Sequence, residues 1–222
     1  TSWVSPDEAY EQAVHDFVAA VLAPAAENPF PSDLLGFLAG LLGPGLWNAV
    51  SQLVLKAASP GVPDFYQGTE LPEFRLVDPD NRRPVDFERR RRLLAELQEE
   101  AGRDAPRLAK QLLSARDGRL KLWVTSRALG LRRARAGLFE HGTYLPLEVH
   151  GTRQRQAVAF ARHHEGNTVI AAIGRFFARL PDPPTGEAWT DTTITLPPGS
   201  GTVWRDALCG HEVKAADDGK PR

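Results

Sequence analysis

The sequence predicts an α+β chain: helices over residues 1–140, interrupted by one short strand, and then an antiparallel β-sandwich over residues 141–222. Three observations carry this. Up to Ala136 the apolar residues recur at three- and four-residue spacing, the period of a half-buried helix. From Gly142 they gather in short β-prone runs separated by Gly, Pro and polar clusters. Between two helical stretches lies SPGVPDFYQGTELPEFRLVDPDNRRPVDF (residues 59–87), which holds more prolines, glycines, aromatics and charges than a connector needs.

In chain order, Ser5-Pro6-Asp7-Glu8 reads as a capping box with proline at the first helical position. Tyr10, Val14, Phe17, Val18 and Val21 share one face of the helix that follows, and Pro24 and Asn28-Pro29 end it. Ser32 caps a second helix. Its Leu34, Leu35, Phe37, Leu38, Leu41 and Leu42 make it apolar over much of its circumference, so it should be well buried. Gly43-Pro44-Gly45 breaks it, and residues 46–58 form a third helix with Trp47, Val50, Leu53, Val54 and Ala57 inward and Asn48 and Gln52 toward solvent.

Ser59-Pro60-Gly61 is a breaker cluster, and Val62-Pro63-Asp64-Phe65-Tyr66 is short, aromatic and β-prone, hence the one strand among the helices. Pro63 cannot donate to a ladder, which confines it to a strand start, an edge or a bulge. Gln67-Gly68-Thr69-Glu70 is then the loop at the strand's C-terminal end. Asp78-Pro79-Asp80-Asn81 is a turn in which Asp and Asn side chains bond the backbone, and Arg82 and Arg83 follow it.

Asp86 caps a helix starting at Phe87, with Phe87, Leu94 and Leu97 inward. Its run Arg89-Arg90-Arg91-Arg92 reads as a solvated face rather than a nucleic-acid contact. Glu88, Glu96, Glu99 and Glu100 offset it, and Glu88/Arg92 and Arg92/Glu96 have the spacing of surface pairs. Asp104 and Pro106 start another helix through Leu108, Leu112 and Leu113, and Asp117-Gly118 turns the chain. Residues 120–136 then form a long helix with Trp123, Val124, Arg127 and Leu131 on one side. The β-prone runs are 144–149, 157–161, 168–173, 192–196 and 202–204. Residues 179–187, with three prolines, read as a long exposed loop, and Asp217-Asp218-Gly219-Lys220-Pro221-Arg222 as a frayed tail.

Composition bounds the function classes. The chain is 42% hydrophobic and 25% charged over 222 residues, ordinary for a globular protein with a real core. A net charge of -1 offers no attraction to nucleic acid or an anionic membrane, and no run approaches the roughly 18 apolar residues that span a bilayer. No secretory leader is evident. Cys209 stands alone, so no internal disulfide forms and a cytoplasmic location is expected. The absence of methionine favours a piece cut from a longer chain. The histidines lack metal-ligand spacing, since His163 and His164 are adjacent on a strand or turn and point to opposite faces. There is no phosphate-binding glycine loop, nucleophile elbow or CxxC pair, so no cofactor and no metal are expected.

GVPDFYQGTEL (residues 61–71) and LVDPDNRRPVDF (76–87) strongly resemble maltooligosyl trehalose synthases, members of the α-amylase superfamily. TSWVSPDEAYEQAV (1–14) and RLKLWVTSRALGLRR (119–133) are also similar to them. The resemblance implies an intramolecular transglycosylation that turns the reducing-end α-1,4 bond of a maltooligosaccharide into an α,α-1,1 bond. Members are several times longer, and their catalytic carboxylates follow barrel strands four, five and seven. Residues 62–66 look like the eighth strand, the last of an incomplete (β/α)8 barrel. On that mapping the catalytic residues lie upstream of Thr1, and the partner of this piece is the missing N-terminal barrel portion. The helices should then pack as a layer on residues 62–66 and expose apolar surface where the barrel continues.

The candidate substrate-binding set is Asp64, Phe65, Tyr66, Gln67, Glu70, Asp80, Asn81, Arg82 and Arg83. Asp64, Gln67 and Glu70 suit sugar hydroxyls, and Phe65 or Tyr66 offers a ring face, with barrel core as the alternative for at least one of them. A retaining glycosidase needs two carboxyls about 5 to 5.5 Å apart. Asp64 and Glu70 are candidates for that pair, but a supporting role fits them better because the family places its dyad elsewhere. Arg82 and Arg83 either orient a catalytic carboxylate from the missing part or are locked to Asp78 and Asp80. Trp3 either staples the first helix or stacks on a sugar ring. Two other readings stand beside the transglycosylase: a noncatalytic glucan-binding or scaffolding module, and a fragment of an amylase-type hydrolase.

Overall fold

The structure, a computed structural model, describes residues 1–2 and 4–215; the readings of Trp3 and of the tail from Asp217 lie outside the described residues. The chain forms two compact units, Thr1–Pro44 and Gly45–Arg222.

In the first unit, α1 (Glu8–Leu22) is capped by Asp7, whose carboxylate accepts from the Tyr10 N–H at 3.0 Å. This corrects the cap expected at Ser5, which remains outside the helix. Asn28 closes α1 and opens α2 (Phe30–Ala58) with one side chain. Its Nδ2 donates to the Val21 and Ala23 carbonyls at 2.9 and 3.0 Å, and its Oδ1 accepts from the Phe30 N–H at 3.2 Å. That cap sets the start of α2 before Ser32. Tyr10, Val14, Phe17, Val18, Leu35, Phe37, Leu38, Leu41 and Leu42 all stand exposed. The expected burial of the 34–42 face is therefore absent, and the apolar side chains of α1 and of the first half of α2 stand uncovered.

α2 also runs through Gly43-Pro44-Gly45 without a break. A proline inside a helix removes one i→i−4 bond and crowds the carbonyl four residues back, and leucine-rich turns on either side carry the helix across. The resulting 29-residue helix is long and apolar enough to cross a membrane by length and composition, which corrects the expectation that no such run exists. Its second half is nevertheless packed within the second unit, where Trp47, Leu53, Ala57 and Ala58 are buried.

In that unit, α3 (Phe87–Ser114) is two helices joined at Asp104, whose backbone leaves the helical region and whose carboxylate caps the second half at the Arg107 N–H, 3.0 Å away. α4 (Arg119–Ala134) and α5 (Ala136–His141) follow. Leu71, Leu97, Leu108, Leu112, Leu122 and Trp123 form the main core, flanked by Leu93, Leu94, Ala101 and Leu120. Phe87 is exposed instead of buried, and Glu88 pairs with Arg91 rather than with Arg92.

Residues 62–66 form no strand, and Val62 is 96% exposed. A strand exists only through a ladder partner; none lies beside this segment among the described residues, and Pro63 lacks the donor that would recruit one.

After α5 come β1 (Thr143–Leu147), β2 (Val149–His150), β3 (Ala157–His164), β4 (Asn167–Gly174), β5 (Thr193–Ile194), β6 (Val203–Arg205) and β7 (Glu212–Lys214). Among the described residues they pair antiparallel in three small sheets, β1-β3-β4, β2-β5 and β6-β7. Ala58, Phe160 and Ala171 form a second core, and the Tyr144 ring lies 4.9 Å from that of Phe160. The 179–187 segment is exposed as expected except at Leu180 and Pro184, and it is tied at Asp182, which accepts from Trp47 Nε1 at 2.9 Å and pairs with Arg116. His163 Nδ1 meets Thr168 Oγ1 at 2.8 Å, and no metal-binding cluster forms among the described residues.

The turn before β3 is anchored by Asp191, which accepts from the Thr152 N–H at 2.9 Å and the Thr190 hydroxyl at 3.1 Å. The Thr152 backbone donor, with both threonine hydroxyls, lowers the Asp191 pKa from 3.8 to about 2. A carboxylate with a depressed folded-state pKa stabilises the fold above its unfolded pKa, and that contribution is lost as pH falls through about 2. Carbon NMR titration of Asp191 is expected to give a midpoint about 2, and a midpoint at 3.8 would mean the anchor is not formed in solution.

Candidate functional site

The site begins where α2 ends. The last carbonyls of a helix lack internal donors and carry partial negative charge, and two arginines collect them here. Arg132 on α4 donates through Nη1 to the Ala57 carbonyl at 2.8 Å and through Nη2 to that of Gly61 at 2.8 Å. Arg162 on β3 reaches the Ala58 carbonyl at 3.4 Å. The chain therefore leaves α2 toward Asp64 along a fixed path.

The 67–70 turn is closed by Thr69, whose N–H and hydroxyl both donate to the Tyr66 carbonyl, at 3.2 and 2.6 Å. Gly68 sits at φ +91, and a Cβ there would lie 3.1 Å from Val85 Cγ2. Only glycine occupies that conformation without strain. Arg90, from the first turn of α3, then grips the turn from below. Its Nη2 donates to the Gly68 carbonyl at 2.6 Å, its Nε to Glu70 Oε2 at 2.9 Å, and its Nη1 to the Asp86 carbonyl at 3.1 Å.

Around this turn, Asp64, Tyr66 and Gln67 are exposed, and Phe65 is half-buried under the Lys56 ammonium, 4.0 Å above its ring. Lys121 Nζ approaches the Leu71 carbonyl at 3.5 Å; burial, then the neighbouring Lys56, lowers its pKa, against the opposing charges of Glu70 and Glu73. The sequence-predicted residues 64–70 are thus brought together on one short stretch, with an exposed acid, an exposed amide and an exposed phenol beside a carboxylate held from α3. Glu70 gives its Oε2 to Arg90 in this arrangement.

Asp80, Asn81, Arg82 and Arg83 form a separate cluster. Arg82 Nε donates to Asp78 Oδ1 at 2.8 Å, Arg83 Nη2 lies 2.6 Å from Asp80 Oδ1, and Asp80 Oδ2 accepts from the Leu76 N–H at 2.8 Å. Arg75 adds bonds to the Arg83 and Pro84 carbonyls at 3.0 and 3.3 Å. Of the two readings for Arg82 and Arg83, the one formed here is the pairing with Asp78 and Asp80. Among the described residues, no hydrogen bond or ion pair joins this cluster to residues 64–70. Asn81 Oδ1 is buried without a protein partner.

Sequence reasoning missed Arg90, Arg132 and Arg162. Arg90 had a readable signal, because it lies three, four and seven residues before Leu93, Leu94 and Leu97 and so extends their inward stripe. Arg162 shares strand parity with Phe160, and both are 1% exposed. Arg132 had no such mark.

No family model matches the chain. Two proteins named putative maltooligosyl trehalose synthase, from Mycobacterium tuberculosis strains CDC 1551 / Oshkosh and ATCC 25618 / H37Rv, are 37% identical to it over 210 residues, 95% of this chain and 23% of each relative. The solved maltooligosyltrehalose synthase from Arthrobacter ramosus superposes with a TM-score of 0.69 at 30% identity, over 100% of this chain and 26% of that one. A further maltooligosyl trehalose synthase crystal structure gives 0.67 at 28% identity, over 96% of this chain and 26% of its own. The chain spans about a quarter of the length of the relatives it matches, and the part of the maltooligosyl trehalose synthases that it resembles is a C-terminal portion.

Proposed function

We propose that this chain is the carboxy-terminal portion of a (1->4)-alpha-D-glucan 1-alpha-D-glucosylmutase, an intramolecular transglycosylase of trehalose biosynthesis acting on maltooligosaccharides. The observation that carries the reading is the 37% identity over 95% of this chain to relatives of that name. Residues 62–66 take the place of the last barrel strand and pair only when the preceding strands are present. Residues 1–140 complete the barrel's outer helical layer, and residues 141–222 fold as the β-domain beyond it. The exposed leucine and phenylalanine face of α1 and α2 supports this, because a lone domain rarely leaves so much apolar surface uncovered. The compartment is the cytoplasm, in keeping with the single unpaired Cys209.

The chemistry assigns roles by position. The two carboxyls that break and remake the glycosidic bond belong to the preceding barrel strands. Asp64, Gln67 and Glu70 hydrogen-bond hydroxyls of the reducing-end glucose units, and the Tyr66 and Phe65 rings offer apolar faces to the pyranose. The Asp80, Asn81, Arg82 and Arg83 cluster borders the same end of the barrel. Arg82 and Arg83 are themselves 71% and 69% exposed and surface pairs of this kind are worth little, so either arginine can exchange its partner for a catalytic carboxylate.

A reducing-sugar assay on the full-length protein with maltopentaose tests this. An α,α-1,1 bond has no free anomeric carbon, so mutase action is expected to consume reducing ends without shortening the chain. A rise in reducing ends would identify a hydrolase, and unchanged maltopentaose would leave only a binding module.

A further inference from the structure

We propose that Arg90 is a positioning residue for glucan binding, holding the 67–70 turn and aiming the Glu70 carboxylate at a sugar hydroxyl. This rests on the reading of residues 64–70 as part of the substrate site. Arg90 lies in a four-arginine run whose other members face solvent: Arg91 and Arg92 pair with Glu88 and Glu96 on their own helix, and their side chains are 74% and 68% exposed. Arg90 is 15% exposed and points the other way. Its three donors go to a carboxylate, to the carbonyl of Gly68 and to the carbonyl of Asp86, the cap of its own helix.

That set of bonds does two things. It ties the backbone of the turn to α3, whose inner face is embedded in the main core through Leu97. It also takes one oxygen of Glu70, Oε2, and among the described residues leaves Oε1 without a protein donor, on a side chain that is 28% exposed. A carboxylate fixed through one oxygen and open at the other is an oriented acceptor for a hydroxyl. Charge alone would not produce this: a lysine at position 90 carries the same charge but lacks the planar fork that serves three acceptors in different directions.

The test uses the full-length protein with maltopentaose, reading KM and kcat for Arg90→Ala, Arg90→Lys, Glu70→Gln and the double variant Arg90→Ala/Glu70→Gln, with thermal melts to confirm folding. Loss of one charge-assisted hydrogen bond corresponds to about a tenfold change in affinity. Arg90→Ala and Glu70→Gln are each expected to raise KM by about that factor with kcat within about twofold, and the double variant to be no worse than Arg90→Ala, because both remove one coupled interaction. Arg90→Lys is expected to recover only part of the loss. If Arg90→Ala does not fold, Arg90→Lys with an unchanged KM overturns the proposal by itself. An unchanged KM in a folded Arg90→Ala protein, or single effects that multiply in the double variant, also overturns it. Should Asp64→Asn and Gln67→Ala leave KM unchanged as well, the sugar-site reading fails and the proposal falls with it; a raised KM in those two alone defeats Arg90's role and spares the site.

Discussion

Arg162→Ala is expected to destabilise the second unit by about 3 to 5 kcal/mol, the range for breaking a buried charged network. The side chain is 1% exposed. Its donors reach five carbonyls: Thr143 at 3.3 Å, Ala58 at 3.4 Å, Leu138 at 3.4 Å, Phe139 at 3.0 Å and Gly142 at 2.8 Å. These lie at the end of α2, the end of α5 and the start of β1, so one guanidinium joins three elements that have no backbone bond in common. Truncation would take a donor from buried carbonyls, at about 1 to 3 kcal/mol for each group stranded, and open a void beside the Phe139 ring, 6.0 Å from the guanidinium; the Leu138 carbonyl would keep the Gly142 N–H. Burial, then the nearby Arg132, lowers the Arg162 pKa. An arginine titrates so far above neutrality that it stays charged at working pH. Arg162→Lys should therefore fail almost as badly, since one ammonium cannot reach all five acceptors. Urea unfolding followed by circular dichroism reads both variants; a loss below about 1 kcal/mol for Arg162→Ala would place it among ordinary surface substitutions and refute the network's weight.

Gly118→Ala is expected to cost about 2 to 4 kcal/mol, from left-handed backbone strain and overpacking together. Gly118 holds φ +86 at the entrance of α4, and an added Cβ would lie 2.4 Å from Pro72 Cδ and 3.1 Å from its Cγ. A proline ring has little freedom to move aside. Pro72 follows Leu71, which is 5% exposed in the main core, and Leu71 follows Glu70. Strain at Gly118 thus passes through two residues into the 67–70 turn. The variant should melt lower and shift the amide resonances of Gly68 and Thr69, while those of Val169 and Ile170 in β4 stay in place. A melting point equal to that of the wild type would mean that the chain relieves the contact by moving the 71–72 segment.

The helices were legible because their period and caps are local: Asp86, Asp104 and the Asp117-Gly118 turn all stand where the pattern put them. Boundaries failed where a nonlocal or competing signal decided. Asp7 took the cap from Ser5, and Asn28 took it from Ser32, since either side chain can serve. Proline is the strongest local stop, so Pro44 predicts a break, yet the turns around it hold. The segment 62–66 has strand composition, but composition supplies no ladder partner. Of the site, the concentration of polar and aromatic residues over 64–70 and 80–83 was visible in the sequence, but the sequence left Arg82 and Arg83 open between a catalytic carboxylate and the Asp78/Asp80 loop, and only the structure shows the second pairing. The supports were not visible, because Arg90, Arg132 and Arg162 act on residues 20, 75 and 104 positions away. A charged residue in sequence looks like a surface residue until its acceptors are known.

Under the proposed function, residues 64–83 bind and position a glucan whose bond is cleaved by carboxylates outside this chain. Proton NMR of maltopentaose incubated with this chain alone, and separately with the full-length protein, tests it most directly. The expected result is an α,α-1,1 anomeric signal from the full-length protein and none from the isolated, folded chain. Appearance of that signal with the isolated chain would contradict the claim, placing the catalytic carboxylates within these residues and making Asp64 and Glu70 the first to substitute.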